Sequence, residues 1–200
     1  MHHPPAIYRQ VIGLLWLAWA VYWMVSSIRI KAAVRRESSA SRLAHVIPLV
    51  VGAVLIGWRE LPWGALNLRL WPQSLLAYGA GLALLVAGLA FAVWARVHLG
   101  RNWSGSVTVK AGHELIRSGP YACVRHPIYT GLITAVLGTA IISGTLRAAL
   151  GLVIITLSLV RKLRTEEAFM RDTFPGEYQR YCAQVPALIP FTRVPRSAPR

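Results

Sequence analysis

The chain has 200 residues, of which 55% are hydrophobic and only 14% charged, and its mean hydropathy is +0.47. A soluble domain carries about 25% charged residues, so this composition, arranged in long apolar blocks, excludes a water-soluble globule and makes the bilayer the expected solvent. A formal net charge of +15 would otherwise suggest nucleic acid, but the cations sit between uncharged runs, as in a membrane protein facing anionic headgroups, and a nucleic-acid role is set aside.

A helix needs about 20 apolar residues to cross the hydrocarbon core. Residues 10–28 meet that length and form the first predicted span. No small-residue cleavage site follows it and a basic segment does, so it reads as a retained span rather than a signal peptide. Residues 43–58 form a shorter second span containing His45 and Pro48, tilted or packed among its neighbours. Residues 70–95 carry no charge and form the third, with its helix starting near Ser74, just after Pro72. Two further apolar stretches, 128–142 and 147–160, flank the turn signal Ser143-Gly144-Thr145 and read as a helical hairpin, spans four and five. The fifth is short for its task, and Arg147 and Arg161 at its ends are expected to snorkel to the headgroups.

Charge placement supports this count. With the N-terminus outside, the outer segments carry four arginines, Arg9, Arg59, Arg69 and Arg147, and the inner segments carry the other eighteen lysines and arginines. The expected fold is therefore an all-α integral membrane protein of about five transmembrane helices, with short cytosolic segments and a cytosolic C-terminus, in the inner or cytoplasmic membrane. The expected organisation is a three-span region (1–98), a second region of loop, hairpin and C-terminal helix (99–192), and a loose Pro- and Arg-rich tail (193–200). Gly79, Gly81, Gly88 and Gly138 read as small residues that let helices approach. Cys123 and Cys182 form no framework and are expected to be reduced thiols in the cytosol.

Two cytosolic segments carry candidate chemistry. In the first, Pro127 suits the first turn of span four, whose exposed N–H groups and positive potential would favour a carboxylate. Arg125 and His126 add donors there, and Gly131, one turn in, would admit a ligand or a neighbouring backbone. The same residues would equally serve as a basic membrane interface with a proline helix start. In the second, Glu166 and Glu167 are adjacent although the whole chain has only seven acidic residues. Their partners are either neighbouring cations, with Lys162–Glu166, Arg164–Glu167 and Glu167–Arg171 at helical spacing, or a bound cation or hydroxyl set. Trp103, Tyr121, Tyr129, Tyr178 and Tyr181 gather in the same segments, where aromatic faces suit either a cation or the interface. The histidines His98, His113 and His126 show no metal-ligand spacing, so no metal is expected. Neither a strand-borne GxGxxG nor a GxSxG is present.

Taken in order, Gly119-Pro120-Tyr121, Val124-Arg125-His126-Pro127, Tyr129, Gly131, Arg161, Glu166-Glu167, Phe174, Glu177-Tyr178, Tyr181, Val185-Pro186 and Ile189-Pro190 resemble the isoprenylcysteine carboxyl methyltransferase family, over roughly residues 100–191. The phospholipid N-methyltransferases share the general plan. The resemblance implies a multi-span helical fold, S-adenosylmethionine as cofactor, and transfer of its methyl group to a lipophilic or prenylated acceptor entering from the bilayer. It implies a cofactor-binding set of Tyr121, Val124, Arg125, His126, Pro127, Tyr129, Gly131, Glu166, Glu167, Tyr178 and Tyr181. For a carboxylate acceptor, Arg161 is the first candidate to orient it and Arg125 the second; for an amine, Glu166 or Glu167 would take the proton. The first three spans contain nothing that identifies a prenyl group. The rival readings are phospholipid N-methyltransferase, small-thiol S-methyltransferase, NADPH-dependent membrane reductase and a non-enzymatic membrane protein.

Overall fold

The computed structural model describes residues 6–28, 33–58, 60–100, 103, 108–110 and 115–192. The expected tail, 193–200, lies outside the described residues, as do Arg101, Asn102, Ser104 and His113.

Helix α1 (Ala6–Ser26) leads to a short strand β1 (Ala33–Arg36) and then to α2 (Ser39–Gly57). The Ser38 hydroxyl caps α2 by accepting from the Ser41 N–H at 3.2 Å. Helix α3 (Leu75–Leu99) starts where expected, with the Ser74 hydroxyl accepting from the Ala77 N–H at 3.1 Å. After it come strand β2 (Thr108–Lys110), the single turn α4 (Pro120–Cys123), α5 (Pro127–Ser143), α6 (Leu146–Thr173) and α7 (Glu177–Gln184). Gly144, in the left-handed conformation at φ 63°, ends α5, and Thr145 stands just before α6 with its hydroxyl 2.9 Å from Ser143 Oγ.

Although α5 and α6 are joined by so short a turn, each packs mainly on a different partner: α5 on α3, and α6 on α2. Both seams are built from facing glycines. A Cβ on Gly81 or Gly88 would strike the backbone of Gly138 or of Gly131 and Ala135, and the clashes are reciprocal; Gly52 and Gly151 stand in the same relation across α2 and α6. Gly131 makes room for the close approach of α3, where a Cβ would meet Gly88 and Ala92. Gly79 meets nothing across a seam.

The outer surface is apolar. Leu14, Leu17 and Val21 on α1, Ile47, Val50 and Val51 on α2, Leu76 and Trp94 on α3, and Val153 and Leu157 on α6 are all exposed. Water would penalise so continuous an apolar jacket, and lipid does not. The chain is a helical membrane protein. Among the described residues α2 and α3 are long and apolar enough to cross a membrane by themselves, and α5 is a shorter apolar helix.

Two expectations change. First, α6 does not stop near Val160: it runs unbroken for 28 residues, about 42 Å at 1.5 Å per residue, carrying Lys162, Glu166 and Glu167 on the same rod as the apolar stretch. Second, Arg147 does not snorkel. It is buried, donating Nε to Asn67 Oδ1 at 2.9 Å and Nη1 to the Leu55 and Ile56 carbonyls at 2.5 and 3.0 Å, which satisfies the last turn of α2. Beside the helices, one short strand pair is present: β1 and β2 run antiparallel, Ala33 opposite Lys110 and Arg36 opposite Thr108. Strands of four and three residues are too short to show a two-residue alternation. At another turn, backbone bonds join Leu70 N–H to the Gly144 carbonyl and Leu146 N–H to the Leu68 carbonyl, each at 2.9 Å.

Candidate active site

The loop before α5 is held from both sides. Gly119 adopts φ +58°, and any Cβ there would run into the His98 ring, so glycine is required. His98 Nε2 lies 2.9 Å from Ser118 Oγ, and its ring stacks on Tyr121 at 6.4 Å. On the other side the chain after α7 returns beside the loop: Arg125 N–H donates to the Pro186 carbonyl at 2.8 Å, His126 N–H to that of Ala187 at 3.0 Å, and Thr130 Oγ1 to that of Leu188 at 2.6 Å. Tyr181 Oη donates to the Tyr121 carbonyl at 2.5 Å. Residues 186–188 thus edge the loop that presents Arg125 and His126.

Glu167 ties this loop to α6. Its Oε1 accepts from Arg125 Nε at 2.9 Å and Nη2 at 2.7 Å, and lies 3.2 Å from His126 Nε2; its Oε2 accepts from Arg171 at 2.8 Å. Arg125 Nη1 also donates to the Cys182 and Val185 carbonyls at 3.3 and 2.5 Å. Burial alone would raise the Glu167 pKa. The hydrogen bonds and charges of His126 and Arg125 outweigh burial and hold it down at about 2. Burial pushes the Tyr121, Tyr178 and Tyr181 phenols well up, so they are neutral donors at physiological pH. It also raises the Cys182 thiol.

Glu166, one residue earlier, faces elsewhere. Its Oε1 accepts from Tyr129 Oη at 2.5 Å and lies 4.0 Å from Lys162 Nζ; its Oε2 lies 3.7 Å from His126 Nδ1. The His126 and Tyr129 rings are parallel, 7° apart in plane at 5.6 Å, and Lys162 Nζ stands 5.6 Å from the Tyr129 ring centre.

These groups close one end of a cavity of about 760 Å³, within the usual range for small-molecule sites. The polar end is lined by Tyr121, Arg125, His126, Tyr129, Lys162, Glu166, Tyr178 and Tyr181, together with the α5 N-terminus at Pro127 and Ile128. The rest is apolar, with Trp16, Trp19 and Trp23 of α1, Leu49, Ala53 and Ile56 of α2, Leu132 and Val136 of α5, and Ile155 and Leu159 of α6. Trp103 joins this wall edge-on to Trp23 at 5.4 Å, with the Arg96 guanidinium 4.4 Å over its ring. Arg96 in turn donates to the Ser26 and Gly100 carbonyls, tying the end of α1 to the end of α3.

Most of the expected cofactor set meets at this cavity: Tyr121, Arg125, His126, Pro127, Tyr129, Glu166, Tyr178 and Tyr181 line it. Val124 is buried behind the loop and Gly131 in the α3 seam, and Glu167 braces the wall rather than lining it. Arg161, the first candidate to orient an acceptor, is exposed on the far side of α6. Sequence reasoning missed Lys162 as a cavity residue and the three tryptophans of α1. Once α6 is one continuous helix, the four- and three-residue spacing of Ile155, Leu159, Lys162, Glu166 and Phe169 places all five on one face.

A lipid-facing helical bundle whose cavity joins a carboxylate–histidine–phenol cluster to an apolar arm defines the class: a helical membrane protein with an internal, part-polar cavity. Over residues 81–172 the chain matches the model of the isoprenylcysteine carboxyl methyltransferase (ICMT) family. It is 32% identical over 114 residues to protein-S-isoprenylcysteine O-methyltransferase of Schizosaccharomyces pombe, covering 56% of this chain and 48% of that protein. It is also 32% identical over 117 residues to a probable protein-S-isoprenylcysteine O-methyltransferase of Oryza sativa subsp. indica, covering 56% and 60%. A bacterial relative, the cobalt-zinc-cadmium resistance protein CzcN of Cupriavidus metallidurans, is 30% identical over 94 residues, 46% of this chain and 43% of that one. The chain thus spans about half the length of the curated relatives it matches. A solved structure of the eukaryotic intramembrane Ras methyltransferase ICMT aligns with a TM-score of 0.49 at 27% identity, over 79% of this chain and 55% of that one.

Proposed function

We propose that the chain is an S-adenosylmethionine-dependent membrane methyltransferase acting on a lipophilic acceptor, of the isoprenylcysteine carboxyl O-methyltransferase type. The observation that carries this reading is a cavity with a polar, aromatic end and an apolar arm. The residues present fit the cofactor. A carboxylate, Glu166, stands beside the Tyr129 hydroxyl and the His126 ring in a cavity also lined by Tyr121, Tyr178 and Tyr181, which suits a cationic and hydroxyl-bearing ligand, and the open N–H groups at the start of α5 suit its carboxylate. When bound, S-adenosylmethionine supplies an electrophilic methyl group on a sulfonium that is already a good leaving group. What remains for the protein is to hold, orient and exclude water.

In this reading Glu166, Tyr129, His126, Tyr121 and Tyr178 hold the cofactor. Arg125, Glu167 and Tyr181 position the loop and the C-terminal segment around it. The apolar arm takes the tail of the acceptor from the bilayer. The basic segments set the polar end on the cytosolic side.

The test is calorimetric titration of the detergent-purified chain with S-adenosylmethionine and S-adenosylhomocysteine. Both should bind. Glu166→Gln should weaken binding about ten-fold or more, the loss of roughly one charge-assisted contact. Binding of NADPH with no binding of either sulfur ligand would replace this reading with the reductase one.

A further inference from the structure

We propose that Ile189 and Phe191, on the segment after α7, form a wedge that seats in the lipid leaflet at the polar end of the cavity. This seating holds in place the loop that presents Arg125 and His126. The course of the segment is the first observation. The carbonyls of Pro186, Ala187 and Leu188 accept from Arg125 N–H, His126 N–H and Thr130 Oγ1, in that order. The segment therefore runs alongside the loop and onto the first turn of α5, from the polar end toward the apolar body of the bundle. Leu188 packs on the core, while Ile189 and Phe191 beyond it are 67% and 96% exposed. On a membrane protein, two large apolar side chains placed there meet lipid at the headgroup–acyl boundary.

Backbone accounting agrees. Irregular backbone enters a water-poor zone only where its polar groups are met within the protein. The carbonyls of residues 185–189 all have donors: Arg125 Nη1 for Val185, the three just named, and Thr192 Oγ1 for Ile189 at 2.8 Å. Pro186 and Pro190 have no N–H to satisfy. Phe191 is held at φ +62°, a conformation that aromatic residues rarely adopt, so the surroundings rather than local preference fix the turn. Charge agrees as well. From Arg180 onward the sequence carries four arginines and no acidic residue, which complements anionic headgroups. Because residues 186–188 are bonded directly to the loop, loosening the wedge reaches Arg125 and His126 without touching the cavity.

The experiment uses the full chain in nanodiscs of phosphatidylcholine and phosphatidylglycerol. Phe191→p-benzoylphenylalanine is irradiated and its adducts are identified by mass spectrometry. Lipid adducts should be the main product. Adducts mainly to the chain's own residues or to a second copy, or the absence of lipid adducts, overturn the proposal. In the same discs, the double variant Ile189→Asn/Phe191→Asn is compared with the unmodified chain by amide hydrogen exchange. Exchange at residues 124–130 should quicken about ten-fold, the mark of a loop whose edge has loosened, while residues 81–88 of the α3 seam keep their rate. Phe191→Trp, which keeps an interfacial aromatic, should exchange like the unmodified chain. Unchanged exchange at residues 124–130 in the double variant also overturns the proposal.

Discussion

Glu167 accepts hydrogen bonds from Arg125 and Arg171 and contacts His126 while itself 7% exposed, and Arg125 is 11% exposed. Removing one side of such a pair leaves an uncompensated buried charge, at a cost of about 3–5 kcal/mol. Glu167→Gln should therefore lower the thermal unfolding midpoint in detergent markedly, before any effect on ligand binding is read, whereas Glu166→Gln should leave the midpoint nearly unchanged and act on binding. The pair also has a pH signature. The folded value of about 2 lies below the ordinary 4.5, so the stabilisation is complete above about pH 4.5 and is lost as pH falls toward 2. Unfolding midpoints measured from pH 6 to 3 should fall more steeply for the unmodified chain than for Glu167→Gln; parallel curves would remove Glu167 from its bracing role. At this scale the sequence was partly legible. Composition singled out the adjacent glutamates as anomalous, and the structure divides them, one facing inward to the loop and one into the cavity. That division depends on a hundred-degree step along α6 and on where the loop lies, which no spacing of residues in the chain discloses.

At the scale of elements, the glycines carry the argument. Gly81 and Gly88 on α3 and Gly131 and Gly138 on α5 are each seven residues apart, two turns, and face one another across a seam too close for any Cβ. Gly88→Val should force the helices apart, destabilise the protein by about 1–3 kcal/mol, and displace the start of α5 from the cavity. Gly79→Ala, where a Cβ meets nothing, should be neutral. Unfolding midpoints of the two variants check this, and equal midpoints would contradict the seam. Helix starts at Ser74 and Pro127 and the turn at Ser143-Gly144-Thr145 were readable because capping and turn chemistry are local. The pairing of α5 with α3 and α6 with α2 was not readable, because the expectation of a hairpin favours chain neighbours and the choice of partner lies in which glycines meet. The full length of α6 was hidden for a similar reason: apolar periodicity ends at Val160, while the helix continues on polar residues that pack against the loop and α7.

Across the whole molecule, the backbone pairing of β1 with β2 puts the α1–α2 and α3–α4 connections at one end, and that of residues 68–70 with 144–146 puts the α2–α3 and α5–α6 turns together. The lysines and arginines divide along the same grouping, and we propose on that ground that the polar end of the cavity faces the cytosol. In intact cells a membrane-impermeant maleimide should leave the exposed Cys123 unmodified and should label a cysteine placed at Trp63; the reverse pattern would invert the topology. Hydropathy and charge made the membrane class legible from the outset. The apolar arm was not legible, since it is assembled from α1, α2, α5 and α6 and its lining residues resemble any others in an apolar helix.

The central claim is that residues of the loop before α5 and residues of α6 and α7 hold one small ligand between them. Photoaffinity labelling of the full chain with an azido-adenosyl analogue of S-adenosylhomocysteine, followed by peptide mass spectrometry, tests it directly. Competable labels on peptides spanning both residues 119–131 and residues 166–181 are the predicted result; labels confined to one of these segments, or found only in α1 to α3, would contradict it.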